Sequence, residues 1–328
     1  MKRIAAAGLL AVTALAARRH MQMRDAMAAV PAEMRNPILA FISGTMTRRM
    51  LPLHRLQSSI RTPSGRGVTV VKRRVGDTGI GVLVVTPSDG SGPRPAVLWI
   101  HGGGYILGSP QMELFGTGRL ARDLGAVTIS PHYRLAPEHP FPAALDDCML
   151  TLRWMRDHAD ELGIDRERIA VVGASAGGGL AAAVAQRSHD EGIPLRAQVL
   201  VYPMIDDRTA LRDDHHGRGT FLWTPASNRF GWSAYLGREP RMSDAPEYAA
   251  PARRKDLTGL PPAWIGVGDL DLFYDEDVAY AEALSAGGVP CELVTVSGMY
   301  HGADGIAPKA AAVQDFRRSM TEHLRTYL

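Results

Sequence analysis

Short apolar runs and longer amphipathic segments alternate along the chain from Arg61 onward. The runs GVTVVKRRV, GIGVLVVTP and RPAVLWIHGGG are rich in β-branched residues and are separated by Gly, Pro and Ser, which predicts three strands. Five later runs predict further strands: AVTISPHYRL, RIAVVGAS, RAQVLVYPMI, PAWIGVGD and CELVTVSG. The segments between the later runs have apolar residues at helical spacing, and the longest of them, ALDDCMLTLRWMRDHADEL, predicts one long amphipathic helix. This alternation predicts an α/β fold with a mostly parallel central sheet and helices on both faces.

Two regions interrupt the alternation. The N-terminal segment, 1–57, is methionine-rich and helical in pattern, and a second segment at about 207–245 separates two predicted strands. The second segment carries four large aromatic residues, Phe221, Trp223, Phe230 and Trp232. Aromatic side chains are typical of the apolar lining of a binding site, so we expect the two segments to form a cap over the C-terminal edge of the sheet. Ordinary surface helices are the alternative.

Composition and charge narrow the class of protein. The chain has 328 residues, of which 45% are hydrophobic and 22% charged, proportions typical of a globular protein with a buried core. The net charge of +3 is small for this length and the basic residues occur in scattered short pairs, so we expect no nucleic acid partner. Cys148 and Cys291 lack the spacing of metal ligands and are expected to be two buried free thiols.

The first nineteen residues have the outline of a signal sequence. Lys2 and Arg3 precede the uncharged run IAAAGLLAVTALAA, and Arg18 and Arg19 follow it. The run is weakly hydrophobic because alanine dominates it, and it is too short to span a bilayer as a helix. An alanine-rich helix or extra residues from an early start codon are the alternatives to a signal sequence, and together they are favoured. We therefore expect a cytoplasmic protein, with export or membrane association through the N-terminal run as the alternative.

Ser175 lies in the stretch VVGASAGGGL, where a predicted strand gives way to a predicted helix. Such a strand-to-helix turn is strained, and only small residues fit around a serine exposed at its tip, as in the nucleophile elbow G-x-S-x-G. A glycine-rich phosphate loop is the alternative, but the pattern G-x-x-x-x-G-K-[ST] is absent from the chain. The pattern therefore favours Ser175 as a nucleophile.

A serine nucleophile needs a base and an acid that orients the base. In a doubly wound hydrolase these follow the serine in the order acid, then histidine, each on a loop after a strand. His301 follows the predicted strand CELVTVSG, and the loop about thirty residues earlier offers Asp269 and Asp271. Asp275, Glu276 and Asp277 come just after and are expected to cap or complement a helix N-terminus. The local pattern leaves Asp269 and Asp271 equally open.

The stretch HGGGY follows the predicted strand AVLWI and supplies a site for negative charge. Its glycines allow backbone N–H groups to approach a substrate oxygen without obstruction from side chains. Together with the N–H group of Ala176, the amides of Gly103 and Gly104 are expected to form an oxyanion hole. His101 is expected to orient this loop rather than to act as a base.

The chain resembles the bacterial branch of the hormone-sensitive lipase family, which are carboxylesterases with the α/β-hydrolase fold. The matching segments cover the chain from about Arg61 to its end: HGGGY, HYRLAPEHPFPAALDDC, GASAGGG, GDLDLFYDED and YHG. The resemblance implies that residues 58–328 form the catalytic domain, and it selects Asp271 over Asp269 as the acid. Many members have Asp in place of Ala174 and proline in place of Leu272, and neither departure removes a catalytic group. Glu138 is expected to form a structural ion pair or cap.

The resemblance implies a serine carboxylesterase that hydrolyses short- to medium-chain acyl esters through Ser175, His301 and Asp271. No cofactor and no metal are expected, and the expected partners are a small-molecule ester and water. The same residues would also serve an amidase, a deacetylase or an acyltransferase, and a non-catalytic small-molecule receptor is the alternative of another class. Membrane association is expected only if the N-terminal run is retained as an anchor. A homodimer is left open.

Overall fold

A single eight-stranded sheet organises the protein. The computed structural model describes residues 23–39, 44–90 and 92–328. The strand order is β1-β2-β4-β3-β5-β6-β7-β8. The strands are β1 (Val68–Arg74), β2 (Gly81–Pro87), β3 (Arg94–Ile100), β4 (Val127–Pro131), β5 (Ile164–Ala174), β6 (Gln198–Val201), β7 (Ala263–Gly268) and β8 (Cys291–Val296).

Strand direction is mostly parallel. β2 pairs antiparallel with β1 and with β4, and every other neighbouring pair, from β4 through β8, is parallel. All eight predicted strands are therefore confirmed, although most are shorter than the apolar runs that predicted them. In a parallel sheet the C-terminal ends of the strands meet at one edge, so the loops after β3, β5, β7 and β8 come together there.

Helices cover both faces of the sheet, as the alternation predicts. They are α1 (Leu51–Ser58), α2 (Leu114–Leu124), α3 (Ala143–Asp157), α4 (Ala159–Leu162), α5 (Ala176–Asp190), α6 (Pro225–Leu236), α7 (Tyr274–Ala286), α8 (Ala303–Ile306) and α9 (Ala311–Tyr327). The prediction of one long helix over ALDDCMLTLRWMRDHADEL is wrong, because the chain leaves the helical conformation at His158 and resumes as the short α4. Gly163 follows the last residue of α4, and its left-handed φ of 64° suits a helix C-terminus.

Two apolar clusters lie on opposite faces of the sheet. Alternate residues of β3 divide between them: Leu98 and Ile100 belong to the cluster under α3, α5 and α7, whereas Val97 and Trp99 belong to the cluster under α2 and α9. This division follows from the period of two along a strand, which sends successive side chains to opposite faces. Both faces are buried, which explains why the central strands are apolar at nearly every position.

The segments outside the alternation contact each other and the sheet edge. The backbone N–H of Met46 donates to Ser227 Oγ on α6 at 2.8 Å, and the Tyr300 hydroxyl donates to the carbonyl of Met34 at 3.1 Å. The signal-like run at 1–19 lies outside the described residues. None of the helices within 23–39, 44–90 and 92–328 combines the length and apolarity that crossing a bilayer requires.

Both cysteines are free thiols, as predicted. Cys148 is buried in α3, but the prediction of burial is wrong for Cys291, which is only partly buried. The reason is that β8 is the last strand of the sheet and has a neighbouring strand on one side only.

Candidate active site

Ser175 occupies a strained turn between β5 and α5. Its φ of 57° and ψ of −123° are rare for a residue with a side chain, and small neighbours make this backbone path possible. A Cβ on Gly173 would lie 2.1 Å from the carbonyl oxygen of Gly177, and a Cβ on Gly177 would lie 2.1 Å from that of Ile100. Glycine is therefore required on both sides of the serine, which confirms the turn predicted from the sequence.

A chain of two hydrogen bonds joins Ser175 to Asp271 through His301. Nδ1–H of His301 donates to Oδ2 of Asp271 at 2.7 Å, which leaves Nε2 to accept from Oγ of Ser175 at 3.0 Å. The backbone N–H of Phe273 donates to the other oxygen of Asp271 at 3.0 Å and orients the carboxylate. All three side chains are buried, so the hydrogen bonds lie in a region of low dielectric constant where they are strong.

Aromatic rings hold the imidazole of His301 on two sides. The ring centroids of Tyr202 and Phe273 lie 4.7 and 5.3 Å from that of His301, both at steep interplanar angles. Tyr202 is itself fixed, since its hydroxyl donates to Oδ1 of Asp304 at 2.7 Å. The sequence analysis did not identify either ring as part of the site, because both come from loops that only the folded sheet edge brings to the histidine.

Asp269 has a different position from Asp271. Its two carboxylate oxygens accept from the hydroxyl of Ser297 at 3.1 Å and from the backbone N–H of Gly298 at 2.6 Å. Asp269 therefore braces the loop that leads from β8 to His301, and it makes no contact with the imidazole. Of the two carboxylates that the local pattern left open, the structure places Asp271 against the histidine.

The glycine loop after β3 runs beside the serine. A Cβ on Gly102 would lie 3.3 Å from Cβ of Ser175, so the two backbones are in contact. Gly103 and Gly104 have φ values of 123° and 59°, a region that favours glycine. A side chain on Gly103 would also collide with the carbonyl oxygen of Leu107, 2.1 Å away.

Three backbone N–H groups at this point have no acceptor. Within the described ranges, the amides of Gly103, Gly104 and Ala176 donate to no oxygen of the protein. Ala176 is the first residue of α5, where an unpaired N–H is expected and the helix dipole favours negative charge. These amides belong to the loop and the turn that meet at Ser175, so they can donate to an oxygen bound there.

The buried side chains of His101 and Tyr133 support the glycine loop. Nδ1 of His101 hydrogen-bonds with the carbonyl of Gly102 at 2.8 Å, and its ring stacks on Tyr133 at a centroid distance of 4.2 Å. Burial lowers the pKa of His101 to about 4, so this imidazole is neutral at ordinary pH. It lies where the sequence analysis placed it, as a part of the loop's support.

Arg55 also supports this region and was not identified from the sequence. Its Nε and Nη2 groups donate to the carbonyls of Ile106 at 2.8 Å and Ala136 at 2.7 Å. Its guanidinium also pairs with Glu138 at 2.8 Å, which is the structural ion pair expected for that glutamate. No local pattern marks Arg55, because its partners lie about fifty and eighty positions further along the chain.

The carboxylates that follow Asp271 are structural, but none of them makes a capping hydrogen bond on α7. Asp275 pairs with Arg218 at 2.8 Å. Glu276 is buried and accepts from the backbone N–H of Ile205 at 2.8 Å, which ties α7 to the strand end after β6. Asp277 is fully buried, and neither of its carboxylate oxygens has a hydrogen-bond partner within the described part of the chain. The capping half of the expectation is therefore wrong, because burial on the inner face of α7 directs two of these side chains away from the helix end. All three lie in the first turn of α7, as the expectation that they complement its N-terminus requires.

Two residues of the segment between β6 and β7 pack against the glycine loop and the loop that carries His301. Trp223 is buried against Gly104, and Leu222, with an unusual φ of 56°, lies against Gly302 beside the histidine. A cavity of about 690 Å³ lies between this segment and the N-terminal residues, lined in part by Met23, Thr45, Phe221 and Leu270.

The two departures from the family pattern lie beside the site. Ala174 borders a cavity of about 60 Å³ behind the turn, and Leu272 contacts the backbone position of Gly219. Across residues 23–39, 44–90 and 92–328, no group of three or more His, Cys, Asp or Glu side chains is arranged to hold a metal ion.

The sheet order, the strained serine turn and the Ser–His–Asp hydrogen bonds define a hydrolase of the α/β class. A sequence profile described as the alpha/beta hydrolase fold matches residues 97–304, and the chain belongs to that family. The resemblance to the carboxylesterases of the hormone-sensitive lipase family is thereby confirmed.

Esterases are among the proteins to which this chain is similar. Esterase LipI of Mycobacterium tuberculosis is 37% identical over 215 residues, which are 65% of this chain and 67% of LipI. Carboxylesterase NlhH of the same organism is 38% identical over 236 residues, 69% of this chain and 72% of NlhH. A solved structure described as a bacterial heroin esterase superposes with a TM-score of 0.84 and 33% identity, covering 92% of this chain and 99% of its own. This chain is a carboxylic ester hydrolase.

Proposed function

We propose that Ser175, His301 and Asp271 are the nucleophile, the base and the orienting acid of ester hydrolysis. The observation that carries this assignment is the pair of hydrogen bonds of 3.0 and 2.7 Å that joins the serine oxygen to the carboxylate through one imidazole. The geometry meets the requirement that a base lie within hydrogen-bond reach of the proton that it removes.

The reaction proceeds in two halves. His301 removes the proton from Ser175 Oγ as the oxygen attacks the ester carbonyl, and Asp271 stabilises the imidazolium that results. His301 then gives the proton to the leaving alcohol, and an acyl-enzyme is formed. Water enters, loses a proton to His301 and attacks the acyl group, which releases the acid and restores Ser175.

The amides of Gly103, Gly104 and Ala176 receive the oxyanion in this proposal. Three lines of support are their lack of any acceptor in the described residues, their place beside Ser175 and the absence of obstructing side chains. A preorganised donor of this kind is worth about 3 kcal/mol of transition-state stabilisation.

The substrates proposed are small, with short- to medium-chain acyl groups. Trp223 and Leu222 pack over the glycine loop and beside the histidine, which limits the space above the serine. We further propose that the N-terminal residues and the segment at about 207–245 form a cap. The contact between Met46 and Ser227 and the shared cavity of about 690 Å³ support this arrangement.

The decisive experiment replaces the serine. Ser175→Ala should reduce hydrolysis of p-nitrophenyl butyrate by at least about 10⁴-fold, since the attacking oxygen is lost. Ser285→Ala, at an exposed position of α7, is the matched control and should retain the wild-type rate. An organophosphonate should add one covalent group to the wild type and none to Ser175→Ala. Retained turnover in pure Ser175→Ala would refute the assignment.

A series of p-nitrophenyl esters with acyl chains of increasing length tests the substrate proposal separately. We expect kcat/KM to be highest for short and medium chains and to fall for long ones, because Trp223 packs against Gly104 in the loop beside Ser175 and leaves little room there. A maximum at long chains would contradict the size limit while leaving the assignment of Ser175 intact.

A further inference from the structure

Helix α1 carries apolar side chains on the face that it turns to solvent. Leu51 and Ser58 are buried and lie on one side of the helix, together with Arg55. Leu53 and Leu56 lie on the opposite side, and their side chains are 59% and 67% exposed. A surface helix normally places polar residues on this outer face, so two exposed leucines there need a physical reason.

The apolar surface continues beyond both ends of the helix. Met50 precedes α1 and Ile60 follows it, and both are exposed. We call Met50, Leu53, Leu56 and Ile60 the α1 stripe. Four of the nine large hydrophobic side chains exposed in the described residues belong to it, so the exposure is concentrated here rather than scattered.

Basic residues surround the α1 stripe in the sequence. Between Met34 and Asp77 the chain contains no aspartate or glutamate. Arg48 and Arg49 directly precede Met50, Arg61 directly follows Ile60, and all three are exposed. In the described part of the chain, Glu138 is the acidic side chain that pairs with α1, through Arg55, and it also interacts with the charge of Arg48. The surface is therefore apolar along its centre and positively charged at its ends.

We propose that the α1 stripe and its flanking arginines dock on a lipid surface that carries anionic headgroups. Apolar side chains on one helix face can enter the boundary between headgroups and acyl chains, while arginines at its edge bind the lipid phosphates. The charge pattern favours this occupant over a second copy of the chain. A two-fold contact would bring Arg48, Arg49 and Arg61 of one copy near those of the other, and Glu138, which already pairs with Arg55, would be the acidic group close to them.

Docking through α1 would bring the glycine loop close to the lipid, with this one helix between them. Arg55 extends from the inner face of α1 to the carbonyls of Ile106 and Ala136, close to the glycine loop that contains Gly103 and Gly104. The proposal concerns where the enzyme binds and holds whether or not Ser175 is the nucleophile.

Vesicle flotation of the full-length protein tests the proposal. Vesicles of phosphatidylcholine with about 30 mol% phosphatidylglycerol should bind the protein at roughly 0.1 M NaCl, and pure phosphatidylcholine should bind it far less. Leu53→Gln/Leu56→Gln should weaken binding by about tenfold or more, because two side chains no longer leave water. Arg48→Gln/Arg49→Gln should weaken it by about tenfold and reduce its salt dependence.

Two control variants test whether vesicle binding depends on the α1 stripe rather than on another apolar part of the chain. Met242→Gln removes an equally exposed apolar side chain remote in sequence from α1 and should leave binding unchanged. Leu9→Gln/Leu10→Gln alters the apolar run near the N-terminus. If that variant abolishes binding while Leu53→Gln/Leu56→Gln does not, the proposal is overturned.

Controls for folding, the binding of the wild type and the oligomeric state complete the test of the proposal. Hydrolysis of p-nitrophenyl acetate and an unchanged Tm show that the α1 variants are folded. Failure of the wild type to bind anionic vesicles overturns the proposal. If, in addition, Leu53→Gln/Leu56→Gln converts a dimer into a monomer, the stripe is an interface between copies of the chain instead.

Discussion

A Cβ on Gly104 would lie 2.0 Å from Cη2 of Trp223. The glycine loop and the segment between β6 and β7 are therefore packed together with no room for a methyl group. Trp223 is held in this position by its buried ring and by a hydrogen bond from its Nε1–H to Oδ1 of Asn228 at 3.3 Å. The segment between β6 and β7 consequently sets the position of the Gly104 amide, which we propose to stabilise the transition state.

Gly104→Ala should lower kcat/KM for p-nitrophenyl acetate by about 100-fold or more, because the added methyl displaces the loop and one oxyanion donor is lost. In a Trp223→Leu background the same change should have about a tenfold smaller effect, since the smaller side chain relieves the collision. Gly116→Ala, at a position with open space, is the control and should be nearly neutral. A wild-type rate in Gly104→Ala would contradict the proposed donor.

Asp271→Asn should reduce kcat on the order of 10⁴-fold at neutral pH, because an amide group favours the imidazole tautomer that cannot accept the serine proton. Asp269→Asn is the matched control on the same loop. It loses only bonds to Ser297 and Gly298, so its kcat should fall by about tenfold or less. Steady-state kinetics of the two purified variants make the comparison. Equal losses in both would mean that Asp271 has no special relation to His301.

Asp277→Asn should change how stability depends on pH. Burial, together with the charges of Glu276 and Asp271, raises the pKa of Asp277 well above its ordinary value of 3.8. The folded protein thus keeps a proton that the unfolded chain loses above that pH, and stability falls as the pH rises. The wild type should lose up to about 1.4 kcal/mol per pH unit from this group, and the asparagine variant should not.

Urea unfolding at several pH values between 4 and 8 measures this difference. The stability advantage of Asp277→Asn over the wild type should grow steadily across the range. Glu282→Gln, at an exposed position of the same helix, should leave the pH dependence nearly unchanged. A constant difference between Asp277→Asn and the wild type would show that the carboxyl group is ionised, and therefore solvated or paired, in the folded protein.

The features that were correctly predicted from the sequence depend on steric rules that act between neighbouring residues. The strained turn at Ser175 was predicted because it admits only small neighbours, and those neighbours are adjacent in the sequence. The strands were identified because a sheet buried on both faces requires apolar residues at nearly every position. The break at His158 was missed because the apolar spacing continues through α4 while the backbone does not.

The features that the local sequence pattern did not decide depend on contacts between distant segments of the chain. The local pattern could not separate Asp269 from Asp271, since both follow β7 within three residues, and the family resemblance was needed to choose. The exposure of Leu53 and Leu56 was equally hidden, because their spacing alone does not show which side of α1 faces the protein.

The amino-acid sequence by itself determined the order of strands and helices, the strained turn at Ser175 and the glycine loop, because each depends on the sterics and polarity of neighbouring residues. The tertiary structure decided which carboxylate reaches His301, which tryptophan covers Gly104 and which arginine supports the loop. His301 and Ser175 are separated by 126 positions, and their approach to 3.0 Å depends on the pairing of parallel strands across the whole sheet. Such pairing is set by packing among many residues at once, and no short stretch of sequence contains it.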